Sequence, residues 1–188
     1  MKKVKLTLAW MIFSTSTCIV TAQSMDKTVM VGGETMYPKK NIIENAVNSK
    51  SHTTLVAAVT AAGLVETLKG SGPFTVFAPT NDAFENLPAG TVENLLKTEN
   101  KTSLAKVLTY HVLSGKYDFR KLSKLIKEGN GKTSLKTVSG GTLMFSMNGD
   151  KNIMLWDENG NGANISVYDV YQSNGVINVI DAVVLPKM

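Results

Sequence analysis

From Gly131 onward the sequence changes period, and that change limits the possible folds more than any other feature. Apolar and polar residues alternate over 134–138, 142–147, 152–156, 164–170 and 176–185, the pattern of strands with one face buried. Gly140-Gly141, Asn148-Gly149 and Asn159-Gly160 stand between these runs. Such pairs favour tight hairpins because they accept left-handed backbone. The gaps hold only a few residues, whereas a crossover to a parallel neighbour needs roughly a dozen or more. The second half of the chain is therefore expected to form antiparallel strands.

The first half carries helical spacing. Ile42, Ile43, Ala46 and Val47 fall on one face. A second helix, 55–62, has Thr53 or Thr54 as its expected cap and Gly63 as its stop, and its alanines suit close packing in the core. Residues 74–77 alternate as a strand that Pro79 closes, with Phe74 and Val76 on one side and Thr75 and Phe77 on the other. Thr80, Asn81 and Asp82 offer cap oxygens to a short helix at 83–87, and another is expected at 92–97. The clearest helix covers 102–112, where Leu104, Val107, Leu108 and His111 recur at i, i+3, i+4 and i+7. A last amphipathic helix is expected at 119–127. Helices first and strands later give a single α+β domain over 41–188, with no linker or repeat to divide it. Residues 23–40 read as an extended N-terminal leader.

The first 22 residues have a basic start (Met1 to Lys5), a short apolar run and a small, polar end, the layout of a secretory signal peptide cut after Ala22. The apolar run is much shorter than the roughly 20 residues of a membrane-spanning helix. Cleavage removes three lysines and no acid, so the formal net charge falls from +5 to +2. No basic face remains to suit nucleic acid. The sole cysteine, Cys18, also leaves, which excludes a disulfide scaffold and a cysteine-based metal cluster from the mature chain. Lipid attachment at Cys18 fits less well, because Thr15 and Thr17 occupy the positions where that processing wants a Leu-like and a small residue. The expected destination is the medium or the periplasm.

Two distant segments carry a family signature. Gly72-Pro-Phe-Thr-Val-Phe-Ala-Pro-Thr-Asn-Asp-Ala-Phe84 and Asn174-Gly-Val-Ile-Asn-Val-Ile-Asp-Ala-Val-Val-Leu-Pro186 resemble the two signature segments of the fasciclin domain. Leu108-Thr-Tyr-His-Val-Leu-Ser-Gly115 between them resembles the family's Tyr-His segment. The resemblance covers about residues 41–186. It implies a fasciclin-like β-sandwich wedge with several short helices packed on it, the two signature segments pairing as neighbouring strands in the core. Asn178 stands where many members carry His, and Ser114 where they carry Pro.

The same resemblance implies a non-enzymatic binding module, serving cell adhesion or matrix attachment through protein or polysaccharide contacts, with no cofactor. Tyr110 and His111 match the segment linked to adhesion in family members and are the candidate binding residues. The alternative for His111 is a buried imidazole bonded to backbone at the helix end. Asp157-Glu-Asn-Gly-Asn-Gly162 imitates the start of a calcium loop, but position 12 is Tyr168 instead of a bidentate Glu, so a hairpin loop is expected there. No nucleophile elbow, zinc-protease motif, phosphate loop or dinucleotide fingerprint occurs. A periplasmic or envelope protein-interaction module and a hydrolase with a site assembled only in the fold are the other readings. The sequons at Asn100 and Asn164 carry no weight if the leader is bacterial, as its short, Lys-rich form suggests.

Overall fold

The computed structural model describes residues 28–187. The expected signal peptide, its cleavage site and Cys18 lie outside the described residues. Among these residues seven short α-helices and nine strands follow one another, with a seven-stranded sheet at the centre.

Residues 28–40, expected as an extended leader, form a hairpin of β1 (Val29–Val31) and β2 (Glu34–Met36). Val31 and Met36 are buried against the helices that follow. Those are α1 (Ile42–Ala46), α2 (Thr53–Ala62) and α3 (Val65–Lys69). Asn41 and Glu44 form a capping box on α1. Neither threonine caps α2 in the way expected. Its N-terminus is instead held from another element, by Asn81 Oδ1, which accepts from Thr54 N at 3.1 Å and Thr53 Oγ1 at 3.2 Å. Gly63, in left-handed conformation, ends the helix as anticipated.

β3 (Phe74–Pro79) then runs through the interior, and Thr80 caps α4 (Asn81–Glu85) as expected. Next come α5 (Thr91–Leu95), α6 (Lys101–Tyr110), β4 (Val112–Ser114) and α7 (Phe119–Glu128), the last capped by Asp118. Five strands complete the chain: β5 (Lys132–Lys136), β6 (Thr142–Asn148), β7 (Asn152–Trp156), β8 (Gly162–Gln172) and β9 (Gly175–Ile180).

The sheet order is β4-β3-β9-β8-β7-β6-β5. From β5 to β9 the pairing is antiparallel throughout, as the hairpin spacing requires. The sheet as a whole is mixed, however, because β3 and β9 pair in parallel, from Phe74 opposite Gly175 to Pro79 opposite Ile180. The antiparallel expectation fails at this one pair. Spacing constrains only strands that follow each other closely, and these two are separated by most of the domain. The two signature segments do pair as neighbours.

β3 and β9 separate two cores. Val76, Ala78, Ile177 and Val179 face α1, α2, α3 and α6. Phe77 and Ile180 face the other way, with Leu122 and Ile126 of α7 and with Leu143, Phe145, Ile153 and Leu155 of the outer strands. The sheet curls over this second core, since the rings of Phe77 and Phe145 lie 5.3 Å apart although their strands are not neighbours. Register shifts in β8 between Ile165 and Val170, with Asp169 at φ 58°, allow the bend. The two ends of the sheet nearly meet where Val138 N, just after β5, donates to Val112 O of β4 at 2.8 Å. The result is an α+β fold around a nearly closed sheet.

Candidate functional site

Tyr110 ends α6 and His111 follows it, and neither side chain reaches the surface. Tyr110 is 0% exposed and His111 2%. The Tyr110 hydroxyl donates to Thr142 O at 2.7 Å and accepts from Glu158 N at 3.2 Å, tying α6 to the start of β6 and the turn after β7. Burial pushes its pKa up to about 12. Gly141 lies flat against this ring; a Cβ there would stand 2.6 Å from it.

His111 Nδ1 bonds Val107 O at 2.8 Å, and Nε2 accepts from Val184 N at 3.3 Å. A carbonyl can only accept a hydrogen bond from Nδ1–H and an amide N–H can only donate one to Nε2, so the ring is neutral with the proton on Nδ1. Loss of solvation lowers its pKa to about 4, against a smaller upward pull from the Val107 carbonyl. The backbone of His111 also serves the sheet, accepting from Phe77 N at 2.9 Å.

His52, the other histidine, sits in the turn before α2 and is 2% exposed. Its Nδ1 meets Ser49 Oγ at 2.8 Å, and Ser49 Oγ in turn contacts Val31 O of the N-terminal hairpin at 3.3 Å. Nε2 has no hydrogen-bond partner. Burial lowers the pKa of His52, and the Ala78 carbonyl beside it offsets only part of that effect. Both histidines are thus neutral, enclosed and poorly placed to act as a general base.

His52 and His111 both contribute to the wall of a cavity of about 510 Å³ between the three N-terminal helices and β3. The rest of the wall is almost wholly apolar, with Ile43, Val56, Val65 and Phe74 among its residues. Val47 and Val138, exposed at 54% and 46%, carry the lining out to the surface. Sequence reasoning missed this cavity. Its lining comes from segments far apart in the chain, each of which reads alone as ordinary core.

Sequence reasoning also passed over several buried asparagines. Asn174 Oδ1 accepts from Ile42 N at 3.0 Å, and its Nδ2 donates to Leu68 O and Gly70 O at 2.8 Å each. One side chain therefore joins the start of α1, the end of α3 and the turn into β9. Asn178, in the position where many members carry His, accepts from Asp169 N at 3.1 Å and so supports the bend in β8. The calcium-like loop is a hairpin turn, as expected. Asp157 Oδ1 accepts from Asn159 N and Asn161 N, while Oδ2 accepts from Asn161 Nδ2 and Leu185 N, all within 3.0 Å. Four N–H donors occupy the carboxylate that an ion would need. Among the described residues no cluster of three or more His, Cys, Asp or Glu is placed to hold a metal. No helix among them is long and apolar enough to cross a membrane.

Comparison with known proteins agrees with this architecture. The family profile described as fasciclin domain matches residues 50–186. Protein sll1483 of Synechocystis sp. is 43% identical over 166 residues, spanning 88% of this chain and 84% of that protein. The transforming growth factor-beta-induced protein ig-h3 of Sus scrofa is 34% identical over 150 residues, which cover 79% of this chain but 20% of that protein. Among solved structures, a FAS1 domain pair from the insect cell adhesion molecule Fasciclin I superposes with a TM-score of 0.70 at 17% identity, over 79% of this chain and 52% of that one. At that identity the likeness concerns the fold.

Proposed function

Because this chain belongs to the fasciclin domain family, we propose that it is an exported, non-enzymatic binding module that mediates cell adhesion or matrix attachment through protein or polysaccharide contacts. The observation that carries the reading is the state of the two histidines. A hydrolase hidden in the fold would need an accessible base, and His111, its best candidate, is buried between Val107 O and Val184 N.

Tyr110 and His111 act in this reading as positioning residues. They hold the loops around Thr142, Glu158 and Val184 in place, and those loops, not the two side chains, meet the partner. Contact through either side chain would require the segment to open and leave buried polar groups unpaired.

The purified protein applied to immobilised cells and matrix polysaccharides of its own source is expected to bind saturably. His111→Gln is expected to retain binding wherever circular dichroism shows it folded. Loss of binding in a folded His111→Gln variant would make the imidazole a direct contact and overturn the positioning role. Absence of saturable binding to any of these surfaces would sink the adhesion reading and favour a periplasmic protein partner.

A further inference from the structure

We propose that the outer face of α7 binds an acidic polysaccharide, whose carboxylates lie along Arg120, Lys124 and Lys127. The proposal rests on the reading of a binding module above and adds a second surface to the loops named there. Residues 116–128 hold five cations and two acids, so this short stretch is more positive than the whole mature chain. Net charge hides the stripe, which corrects the expectation that no basic face remains. Arg120, Lys124 and Lys127 recur at i, i+4 and i+7, exposed on the side of the helix opposite the buried Leu122 and Ile126. Exposed faces ordinarily mix the two signs of charge. Here they do not, at a cost to the helix. Like charges three or four residues apart repel, and Arg120 and Lys121 put cations in the first turn, against the helix dipole.

Little on the protein neutralises these cations. Lys124 lies 3.7 Å from Glu128 on an open surface, where a single ion pair is worth little. Lys116 and Lys121, at the N-terminal end of the stripe, hold their ammonium groups 4.3 Å and 4.1 Å from the ring centroids of Tyr171 and Tyr117. A ring orders an ammonium group without cancelling its charge. The arrangement of charge selects the occupant. A small anion gains too little from one exposed contact to be held, whereas a polymer with many carboxylates engages several cations at once. Successive cations in the stripe stand roughly 5 Å apart along the axis, about the length of one sugar ring. Arg120, the one arginine of the chain, can hold a carboxylate through two parallel hydrogen bonds. A lipid surface fits less well, because Leu122 and Ile126 point into the core and α7 turns no large apolar side chain fully outward. An acidic polypeptide also fits less well, since a chain of linked rings is stiffer and loses less freedom on lying along a helix.

The test measures binding of the purified protein to immobilised alginate, with neutral dextran as the control. Saturable binding to alginate alone is expected, weakening as salt rises. The triple variant Arg120→Gln, Lys124→Gln and Lys127→Gln is expected to lose affinity by about tenfold, as three weak contacts together would give. A second triple variant, Lys97→Gln, Lys101→Gln and Lys151→Gln, removes the same charge elsewhere and is expected to keep wild-type affinity. Should the first variant fail to fold by circular dichroism, the pair Arg120→Gln and Lys127→Gln takes its place. No saturable binding by folded wild type, or equal losses in the two triple variants, overturns the site. Tighter binding to poly-L-glutamate or to phosphatidylserine vesicles than to alginate overturns the polysaccharide. Cell binding without alginate binding overturns the stripe and leaves the adhesion reading standing; alginate binding without cell binding does the reverse.

Discussion

At the scale of single residues, His111 makes the stability of the fold depend on pH. Its folded pKa of about 4 lies below the ordinary 6.5, so between those values the unfolded chain takes up a proton that the folded chain refuses. The ring's contribution is complete above pH 6.5 and is lost as pH falls toward 4, by about 3 kcal/mol at most. His52, shifted in the same direction, adds to the loss. Urea midpoints at pH 7 and pH 4.5 are expected to differ less for His111→Gln than for wild type; an equal difference would show that the imidazole is not the sensor. Gly141→Ala is expected to destabilise the fold by about 1–3 kcal/mol, the usual range for overpacking, because the Tyr110 ring occupies the space of the new methyl group. Tyr110→Phe, which strands Thr142 O and Glu158 N, is expected to cost about 1–2 kcal/mol by the same measurement.

Among the elements, Asn174 has the widest reach, because α1, α3 and β9 all depend on its one amide. Asn174→Ala leaves three backbone groups without partners and is expected to cost about 3 kcal/mol in urea unfolding; Asn174→Asp, which keeps the acceptor and loses both donated bonds, should fall between it and wild type. A near-neutral alanine variant would show that water replaces the amide. Nothing in the sequence distinguishes this residue from an ordinary turn asparagine, since its partners lie more than 100 positions away. The strands from β5 to β9 were legible for the opposite reason: alternation and hairpin dipeptides are local signals. So were α6 and α7, although α6 ends at Tyr110, which leaves His111 past its end and places Val112, expected in the helix, in β4. The hairpin at Val29–Met36 was not, because three-residue strands are too short to show a period. Thr75 and Asn178 illustrate the limit within a correctly placed strand. Their burial followed from position, but their bonds to Gly115, Tyr117 and Asp169 arise only from the tertiary fold.

For the molecule as a whole, the central fact is that one parallel strand pair serves both cores. β3 cannot leave β9 without opening the helical side and the curled side together, so unfolding is expected to be a single transition. On residues 23–188, where Trp156 is the one tryptophan, its fluorescence and far-UV circular dichroism should give coincident urea curves; separated midpoints would mean that the two cores melt independently. The family was legible at this scale because its signatures lie on that pair. The cavity was not, because no single segment encloses it. The curled sheet has a further consequence at its borders. β4 is three residues long and sits beside the turn that follows β5, while β5 turns Lys132 and Lys136 to solvent. Short, charged borders give a neighbouring sheet little to extend. A domain finished in this way can be strung next to copies of itself on one polypeptide, at high local concentration, with each copy folding on its own and none recruiting the next into a shared fibre.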